Sequence, residues 1–206
     1  MLLMKNNKKI LLYIIAFFIL VLSLYVAQNR YSLTAVFYQT INADDKAIEQ
    51  FNKAVSLNPD DTYSYYQLGL MYKDRLELDN AEAVYIKLLS IFPDHPFANY
   101  DLGYIYREKR AYDKAVEQYM KALDLDPENT YALSDIAYIH KETGSYDKAI
   151  EQYRKVLEID PVQKYALWDI AVLYEKMGMQ EKAEEQYKYY HEMTDCSFRR
   201  PWNCLD

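Results

Sequence analysis

The chain has 206 residues, of which only four are glycine and 23 are tyrosine. A glycine-poor sequence rich in charged residues lacks the turn residues that sheets need, so it predicts an all-α fold. The net charge is −7, and three of the basic residues lie ahead of the first apolar run, which leaves the rest of the chain more acidic still. An acidic protein repels a phosphate backbone, so nucleic acid is not expected as a partner.

The first element in the chain is an apolar segment, Ile10 to Ala27, and no charged residue occurs from Ile10 to Asn29. Eighteen helical residues rise about 27 Å, close to the ~30 Å hydrocarbon thickness of a bilayer. A buried helix of a soluble protein would show one apolar stripe and not an apolar cylinder. We therefore predict a transmembrane helix over residues 10–29, preceded by an N-terminal segment, residues 1–9.

This segment is either a retained anchor or a cleaved secretory signal. Cleavage after Ala27 requires a small residue two positions earlier, where Tyr25 stands, and the apolar run is long for a signal peptide. We therefore favour an anchor, and cleavage would instead give a soluble secreted protein. Lysines precede the segment and only Arg30 follows it closely, so the N-terminus is predicted to be cytoplasmic. The rest of the chain then lies on the other side, which in a bacterium is the periplasm or the exterior.

A repeat follows the apolar segment. Four prolines recur at a regular period of about 34 residues, and alanines and aromatic residues recur with the same period. The prolines are Pro59, Pro93, Pro127 and Pro161; the alanines are Ala47, Ala81, Ala115, Ala149 and Ala183; the aromatic residues are Phe51, Tyr85, Tyr119, Tyr153 and Tyr187. The period divides residues 28–197 into five units, 28–61, 62–95, 96–129, 130–163 and 164–197, with a tail over residues 198–206.

These units resemble the tetratricopeptide repeat family. The small-residue pair in the first helix of the family's repeat is present as Leu68-Gly69, Leu102-Gly103, Ile136-Ala137 and Ile170-Ala171, and the following tyrosine as Tyr38, Tyr72, Tyr106 and Tyr174. The resemblance implies a right-handed α-solenoid of about five helix-turn-helix repeats. Each helix pair leaves one face uncovered, so stacked repeats share a continuous core. The turn between the two helices contains glycine in only two units, at Gly144 and Gly178.

The first unit departs from the others. It has Thr34-Ala35 in place of the Leu-Gly pair, and neither glycine nor proline occurs before Asn58. We therefore expect the membrane helix to continue into the first repeat helix, from about residue 9 to 41. The alternative is a short hinge at residues 28–30.

The resemblance also implies a binding groove on the concave side of the first helices. Aromatic residues predicted to line it recur at the repeat period: Tyr63, Phe97, Tyr131 and Tyr165, then Tyr66, Tyr100 and Trp168, then Tyr104 and Tyr138. Tyrosine-lined surfaces suit binding because they offer a large apolar area and a polar tip at low entropic cost. The alternative is that these rings pack between repeats.

A row of acidic residues lies beside the aromatic ones, at Asp101, Asp135 and Asp169, continuing from Gln67. These carboxylates either pair with basic side chains of a bound peptide or pair internally with Arg107, Lys141 or Lys176. Chaperone-adaptor members of the family bind a partner's C-terminal carboxylate with basic groove residues, which acidic residues do not favour. The expected partner is therefore a protein or peptide with apolar and basic residues.

No catalytic or cofactor-binding pattern is found in the sequence. The three histidines lie in different units, and no glycine-rich phosphate loop occurs, so neither an enzyme nor a small-molecule substrate is expected. No cofactor or metal is predicted. Cys196 and Cys204 are candidates for a disulfide in an oxidising compartment, with two free thiols as the alternative.

The predicted function is that of a membrane-anchored scaffold, or adaptor, which binds another protein through a tyrosine-rich, acidic groove. The alternative is an assembly chaperone that captures exported or unfolded client segments at the membrane, as in secretion, envelope assembly or cytochrome maturation.

Overall fold

The structure is a computed structural model that describes the backbone of Leu2–Thr194 and the side chains of residues 14–193 other than Leu24 and Gln28. This part of the chain contains helices and no strand, which confirms the all-α prediction. The helices are α1 (Leu2–Thr40), α2 (Asp44–Leu57), α3 (Thr62–Asp74), α4 (Leu78–Ile91), α5 (Ala98–Glu108), α6 (Tyr112–Leu125), α7 (Thr130–Glu142), α8 (Tyr146–Ile159), α9 (Lys164–Lys176) and α10 (Gln180–Thr194).

The helices belong to two compact units, Met1–Ile91 with α1–α4 and Phe92–Asp206 with α5–α10. In the first unit α1 packs with α2 and α3 with α4, and α2 also contacts α3. In the second unit the pairs are α5 with α6, α7 with α8 and α9 with α10, and the pairs are joined through α6–α7 and α8–α9 contacts. Each unit is thus built from stacked helix pairs.

The recurring alanines lie in the core of every pair, and the recurring aromatic residues lie in the core of the first four. All five alanines of the repeat register are fully buried, and so are Phe51, Tyr85 and Tyr119. The glycines of the first helices make room for these rings. A Cβ atom on Gly69 would lie 2.8 Å from Cζ of Tyr85, and one on Gly103 would lie 2.7 Å from Cδ1 of Tyr119. The close approach of the two helices therefore depends on these small residues.

The first helix of a pair begins at a side-chain cap that recurs at the repeat period. Asp61 accepts a hydrogen bond from the Ser64 N–H, Asn129 from the Ala132 N–H, and Gln163 from the Ala166 N–H. At the start of α5, Nδ1 of His95 accepts a hydrogen bond from the Ala98 N–H at 3.2 Å. Each cap satisfies a backbone donor that the helix itself leaves unpaired.

The turn between paired helices is the same in all five repeats. One residue has positive φ in each: Asn42, Leu76, Arg110, Gly144 and Gly178. The next N–H bonds back to the carbonyl five residues earlier, as Ala111 does to Tyr106 at 2.8 Å, which closes a Schellman motif. The turn therefore does not require the glycine that the sequence shows in only two units, because side-chain-bearing residues adopt the same left-handed conformation.

Arg110 is conformationally strained at this turn, with φ of 57°. Left-handed backbone costs a non-glycine residue about 1 kcal/mol or more, so Arg110→Gly is expected to raise the free energy of unfolding by up to about 1 kcal/mol. The reverse change, Gly144→Ala, is expected to lower it by a similar amount, and no atom lies within 4 Å of the added methyl to complicate the comparison. Urea unfolding followed by circular dichroism measures both. Equal midpoints for both variants would contradict this account.

Helix α1 carries the apolar N-terminal segment into the first repeat. Its hydrogen-bonded structure continues from Leu2 to Thr40, but Ile14–Ala27 and Asn29–Thr40 meet at an angle of 66°. The helix thus continues from the apolar segment into the first repeat, as expected, and it bends at the position where a hinge was the alternative. Over the described residues, no one helix combines the length and apolarity required to cross a bilayer; the two bent segments together meet both criteria.

Candidate functional site

The second residue of each predicted unit from 62 to 197 is aromatic and projects into solvent. Tyr63, in the compact unit of α1–α4, is 50% exposed. In the compact unit of α5–α10, Phe97, Tyr131 and Tyr165 are 60%, 75% and 79% exposed. Tyr63 and Tyr131 each contact a ring of the preceding repeat, yet all four residues keep half or more of their surface exposed at the start of α3, α5, α7 and α9. That exposed surface can contact another molecule. We call the second-unit residues Phe97, Tyr131 and Tyr165 the aromatic row.

Behind this row, one aspartate joins two consecutive helix pairs of the second unit. The Tyr100 hydroxyl on α5 donates to Oδ2 of Asp135 on α7 at 3.1 Å, and the Tyr100 ring meets that of Tyr131 with centroids 6.5 Å apart. Arg107, further along the same face of α5, forms an ion pair with Asp135. Tyr100 and Arg107 thus lock α5 to α7, and Tyr100 contributes packing more than exposed surface.

The same connection recurs one repeat later. Lys141 of α7 pairs with Asp169 of α9 at 2.8 Å, and each partner is about one fifth exposed. Lys141 and Asp169 each lie one repeat period beyond Arg107 and Asp135. In the first unit the corresponding contact is neutral, with Nε2 of Gln39 donating to Oε1 of Gln67 at 3.4 Å.

Tyrosine rings surround these cations. The Arg107 guanidinium lies 4.7 Å from the centroid of the Tyr104 ring and 5.6 Å from that of Tyr138. Nζ of Lys141 also lies 5.6 Å from the centroid of the Tyr138 ring. Cation–π contact of this kind stabilises a charge that the helices partly remove from water. Tyr104 and Tyr138 therefore sit in one continuous cluster with the two ion pairs.

The other predicted site residues make contacts of their own. Trp168 is 45% exposed and stacks on α10 through Tyr187 and Tyr190, with centroid distances of 5.0 and 5.4 Å. In the first unit, Tyr66 packs on Tyr85 with centroids 6.2 Å apart, and Tyr63 packs on Phe51 at 6.4 Å.

The predicted row of acidic residues is not an open acidic surface. Asp101 is only 3% exposed, so its carboxylate is not presented to a partner. Asp135 and Asp169 pair internally with Arg107 and Lys141, which was the alternative to pairing with a ligand. These two carboxylates neutralise cations of the protein itself and are not left for a ligand. The expectation that the partner is basic therefore loses its main support.

Burial and the aspartates also shift the titration of nearby groups. Burial raises the pKa of Tyr100 above its ordinary range, and Asp135 raises it further. Burial likewise raises the pKa of Tyr119, beside Asp135, and of Tyr153, beside Asp169. Burial opposes the charged form of Arg107, but Asp135 and Glu108 outweigh it and raise the pKa of that guanidinium.

These tyrosines predict alkaline sensitivity. A raised folded-state pKa means that the folded protein holds the phenolic proton more tightly than the unfolded chain does, so stability is lost as the pH rises above about 10. Replacing Tyr119 and Tyr153 together with phenylalanine is expected to move the alkaline unfolding midpoint to higher pH. Tyr131→Phe, at an exposed ring, is the matched control and is expected to leave the midpoint in place. A pH titration by far-ultraviolet circular dichroism tests this, and equal midpoints for all three proteins would contradict it.

Sequence reasoning named Arg107 and Lys141 only as possible ion-pair partners, yet they organise the cluster. Their signal was present in the sequence. Basic residues recur at the repeat period, at residues 107 and 141, and each precedes by 28 residues an aspartate that recurs with the same period. A basic residue at the end of one first helix and an acid in the middle of the next are brought together by the stacking of repeats.

Two predictions concern chemistry elsewhere in the chain. The possible disulfide between Cys196 and Cys204 lies outside the described residues. Among the described residues, no group of three or more histidine, cysteine, aspartate or glutamate side chains is arranged to hold a metal ion.

Comparison with known proteins identifies the repeat. A family model described as "TPR repeat" matches residues 41–75, 103–144 and 137–178, which is more than half of the chain. A second model, "Tetratricopeptide repeat", matches residues 62–95. No curated protein sequence matches the chain.

Solved structures share the fold. The crystal structure of MamA has a TM-score of 0.78 at 23% identity, covering 82% of this chain and 93% of MamA. YrrB, described as a TPR protein with an unusual peptide-binding site, has a TM-score of 0.71 at 22% identity, covering 84% of this chain and 92% of YrrB. PilF of Pseudomonas aeruginosa has a TM-score of 0.65 at 18% identity, covering 81% of this chain and 76% of PilF. The repeat register, the stacked helix pairs and the family model together show that the chain belongs to the tetratricopeptide repeat family.

Proposed function

We propose that this protein is a membrane-anchored scaffold that binds a segment of a partner protein across the first helices of its repeats. The aromatic row carries the proposal. Three large rings, at the starts of α5, α7 and α9, are more than half exposed, and none of them is buried by the stacking of the repeats. Exposed aromatic side chains on a rigid helical framework offer contact area at little entropic cost, which is the usual basis of a binding hot spot.

The cluster behind the row supplies the rigidity. Asp135 and Asp169 each tie one first helix to the preceding one, so the rings at the starts of these helices are held at fixed separations. A preorganised surface loses less entropy on binding than a flexible one. YrrB, which shares the fold, is described as having a peptide-binding site, and this supports the choice of a peptide as ligand.

The partner is proposed to present mainly apolar side chains. The sequence-based expectation of basic residues rested on three aspartates, of which one is buried and two are already paired. Binding driven by aromatic contact is expected to depend only weakly on salt, whereas binding driven by exposed carboxylates would weaken as salt screens the charges.

Anchoring of the chain in a membrane is the second part of the proposal. Its support is the uncharged run from residue 10 to 29 and the exposure of the apolar side chains within it, such as Phe17, Phe18 and Leu22, each more than 60% exposed. Water is a poor solvent for a helix that is apolar all round. With lysines ahead of this run, the repeats are proposed to lie on the non-cytoplasmic side.

The binding surface is tested with a photo-crosslinking amino acid placed in the full chain at position 131 or 165, with position 86 as control. Ile86 is 48% exposed on α4, outside the aromatic row. Crosslinking in the source cells is expected to capture the same partner at positions 131 and 165 and not at 86. A partner folded on its own indicates a scaffold, whereas unstructured segments of many proteins indicate the chaperone.

Affinity for the captured segment then tests the residues. Replacing Phe97, Tyr131 and Tyr165 together with alanine is expected to weaken binding by about 2 kcal/mol or more, roughly 30-fold in Kd. Tyr189→Ala, at a 41% exposed ring on α10, is the matched control and is expected to bind normally. Unchanged affinity in the triple variant would overturn the proposal. A strong decrease in the affinity of the wild type on adding salt would indicate that charged residues drive binding.

A further inference from the structure

A second exposed apolar surface lies along the end of α1 and the residue that follows it, beyond the proposed anchor. Leu33, Phe37 and Ile41 are 48%, 58% and 54% exposed, and they follow one another at intervals of four residues. We call these three residues the apolar stripe. Residues four apart lie on the same face of a helix. The aromatic row does not include them, and the contacts within the first repeat do not cover them.

The stripe faces away from the repeat core. On the same helical segment Ala35 is fully buried and Ser32 is 8% exposed, and Ser32 donates to Oδ2 of Asp61 at 2.7 Å. At 100° per residue, Ser32 and Ala35 lie on the side of the helix opposite to Phe37. The helix thus packs on its repeat with one face and presents the stripe on the other.

The bend in α1 affects how far the stripe lies from the proposed membrane. Asn29–Thr40 turns by 66° from the direction of Ile14–Ala27. If the earlier segment crosses the bilayer along its normal, the later one lies much closer to the membrane plane than to the normal. Ile41 is about 21 Å from Ala27 along the helix, yet with this bend it rises only about 9 Å above the level of Ala27, so the stripe stays close to the headgroup region.

Two residues at the bend suit the boundary between lipid and water. The Arg30 guanidinium lies 4.5 Å from the centroid of the Tyr31 ring and donates to the Tyr31 hydroxyl at 2.5 Å. Arginine and tyrosine combine an apolar body with a polar tip and are favoured at this depth. Arg30 lies on the same side of the helix as the stripe.

From this geometry we infer that the apolar stripe lies in the membrane interface and seats the first repeat on the bilayer surface. The inference rests on the proposed membrane anchor and adds a second contact with the lipid. A second copy of the chain is a poorer occupant, because three side chains fall well short of the ~800 Å² per partner that stable protein interfaces bury. The membrane is already adjacent wherever the anchor is inserted.

The test uses single-tryptophan versions of the full chain, with Trp168 and Trp202 replaced by phenylalanine. Phe37→Trp reports on the stripe, Phe17→Trp on the anchor and Ile86→Trp on an equally exposed site elsewhere. Each variant is reconstituted into vesicles of phosphatidylcholine and phosphatidylglycerol, with or without brominated phosphatidylcholine. The expected result is a blue-shifted emission that brominated lipid quenches for F37W and F17W, and an unshifted, unquenched emission for I86W.

The outcomes separate this inference from the anchor. Quenching of F17W without quenching of F37W would overturn the interfacial seat and leave the anchor intact. Absence of quenching in both would overturn the anchor and the seat together. A blue shift of F37W that appears without quenching and only at high protein density would place a second copy on the stripe and overturn the inference. Replacing Leu33 and Ile41 with glutamine in F37W is expected to reduce the quenching, whereas glutamine at Met120 and Leu125 is not.

Discussion

Tyr119→Ala is expected to lower the free energy of unfolding by about 3–5 kcal/mol, the range for deleting a large buried ring. Tyr119 has no exposed surface and fills the space left by Gly103, whose Cα approaches the ring as no larger residue allows. Its ring also lies 5.5 Å, centroid to centroid, from that of Tyr100. Removing it leaves a cavity between α5 and α6 that the surrounding helices cannot fill.

Tyr119→Phe is the matched control because it keeps the ring and deletes only the hydroxyl. That hydroxyl is buried and makes no hydrogen bond of ordinary geometry to the described residues. Deleting a poorly satisfied polar atom costs little and is often favourable, so this variant is expected to be as stable as the wild type or slightly more so. Urea unfolding of the full chain in detergent measures both. Equal losses in the two variants would assign the effect to the hydroxyl and contradict the packing explanation.

Asp135→Ala is expected to cost about 2–3 kcal/mol, somewhat below the ~3–5 kcal/mol typical of breaking a fully buried pair. The change leaves the half-buried Arg107 guanidinium and the Tyr100 hydroxyl without the carboxylate that pairs with them. The cost arises from stranding these groups and not from the strength of the ion pair itself.

Two further variants isolate that cause. Glu117→Ala removes one member of an exposed pair with Lys121, whose side chains are 62% and 50% exposed, and is expected to leave the free energy of unfolding nearly unchanged. Combining Asp135→Leu with Arg107→Met removes both charges and is expected to recover much of the stability lost in Asp135→Ala. If the double variant unfolds as readily as the single one, the stranded charge is not the reason.

Sequence reasoning succeeded where position in the repeat determines the environment. Ala115 and Tyr119 recur at the repeat period, and their burial is shared by the residues at the same position of the neighbouring repeats. The exposure of Tyr131 and Tyr165 follows from the same register, because each lies about 200° around its helix from a buried leucine two residues later, Leu133 or Leu167. Their use by a partner remains a prediction.

The points that the sequence left open have a common physical origin. Whether Asp135 faces a ligand or Arg107 depends on how a side chain in the preceding repeat is oriented, and a single position in the register does not reveal that. Leu76 and Arg110 adopt left-handed turns because the packing of two helices imposes the turn, which outweighs the preference of the residue itself. The bend near residue 28 occurs without glycine or proline, so the sequence offered a hinge there only as an alternative.

The recurring ion pairs have a consequence for how such a chain changes length. Removing residues 130–163 would bring Asp169 to the place that Asp135 holds relative to Arg107, so the pairing would re-form with Arg107 as donor. Inserting a copy of the same stretch would add one more pair of the Lys141–Asp169 type. The ion pairs between adjacent repeats are therefore equivalent to one another. A gene that gains or loses one repeat period encodes a longer or shorter protein in which these ion pairs still form.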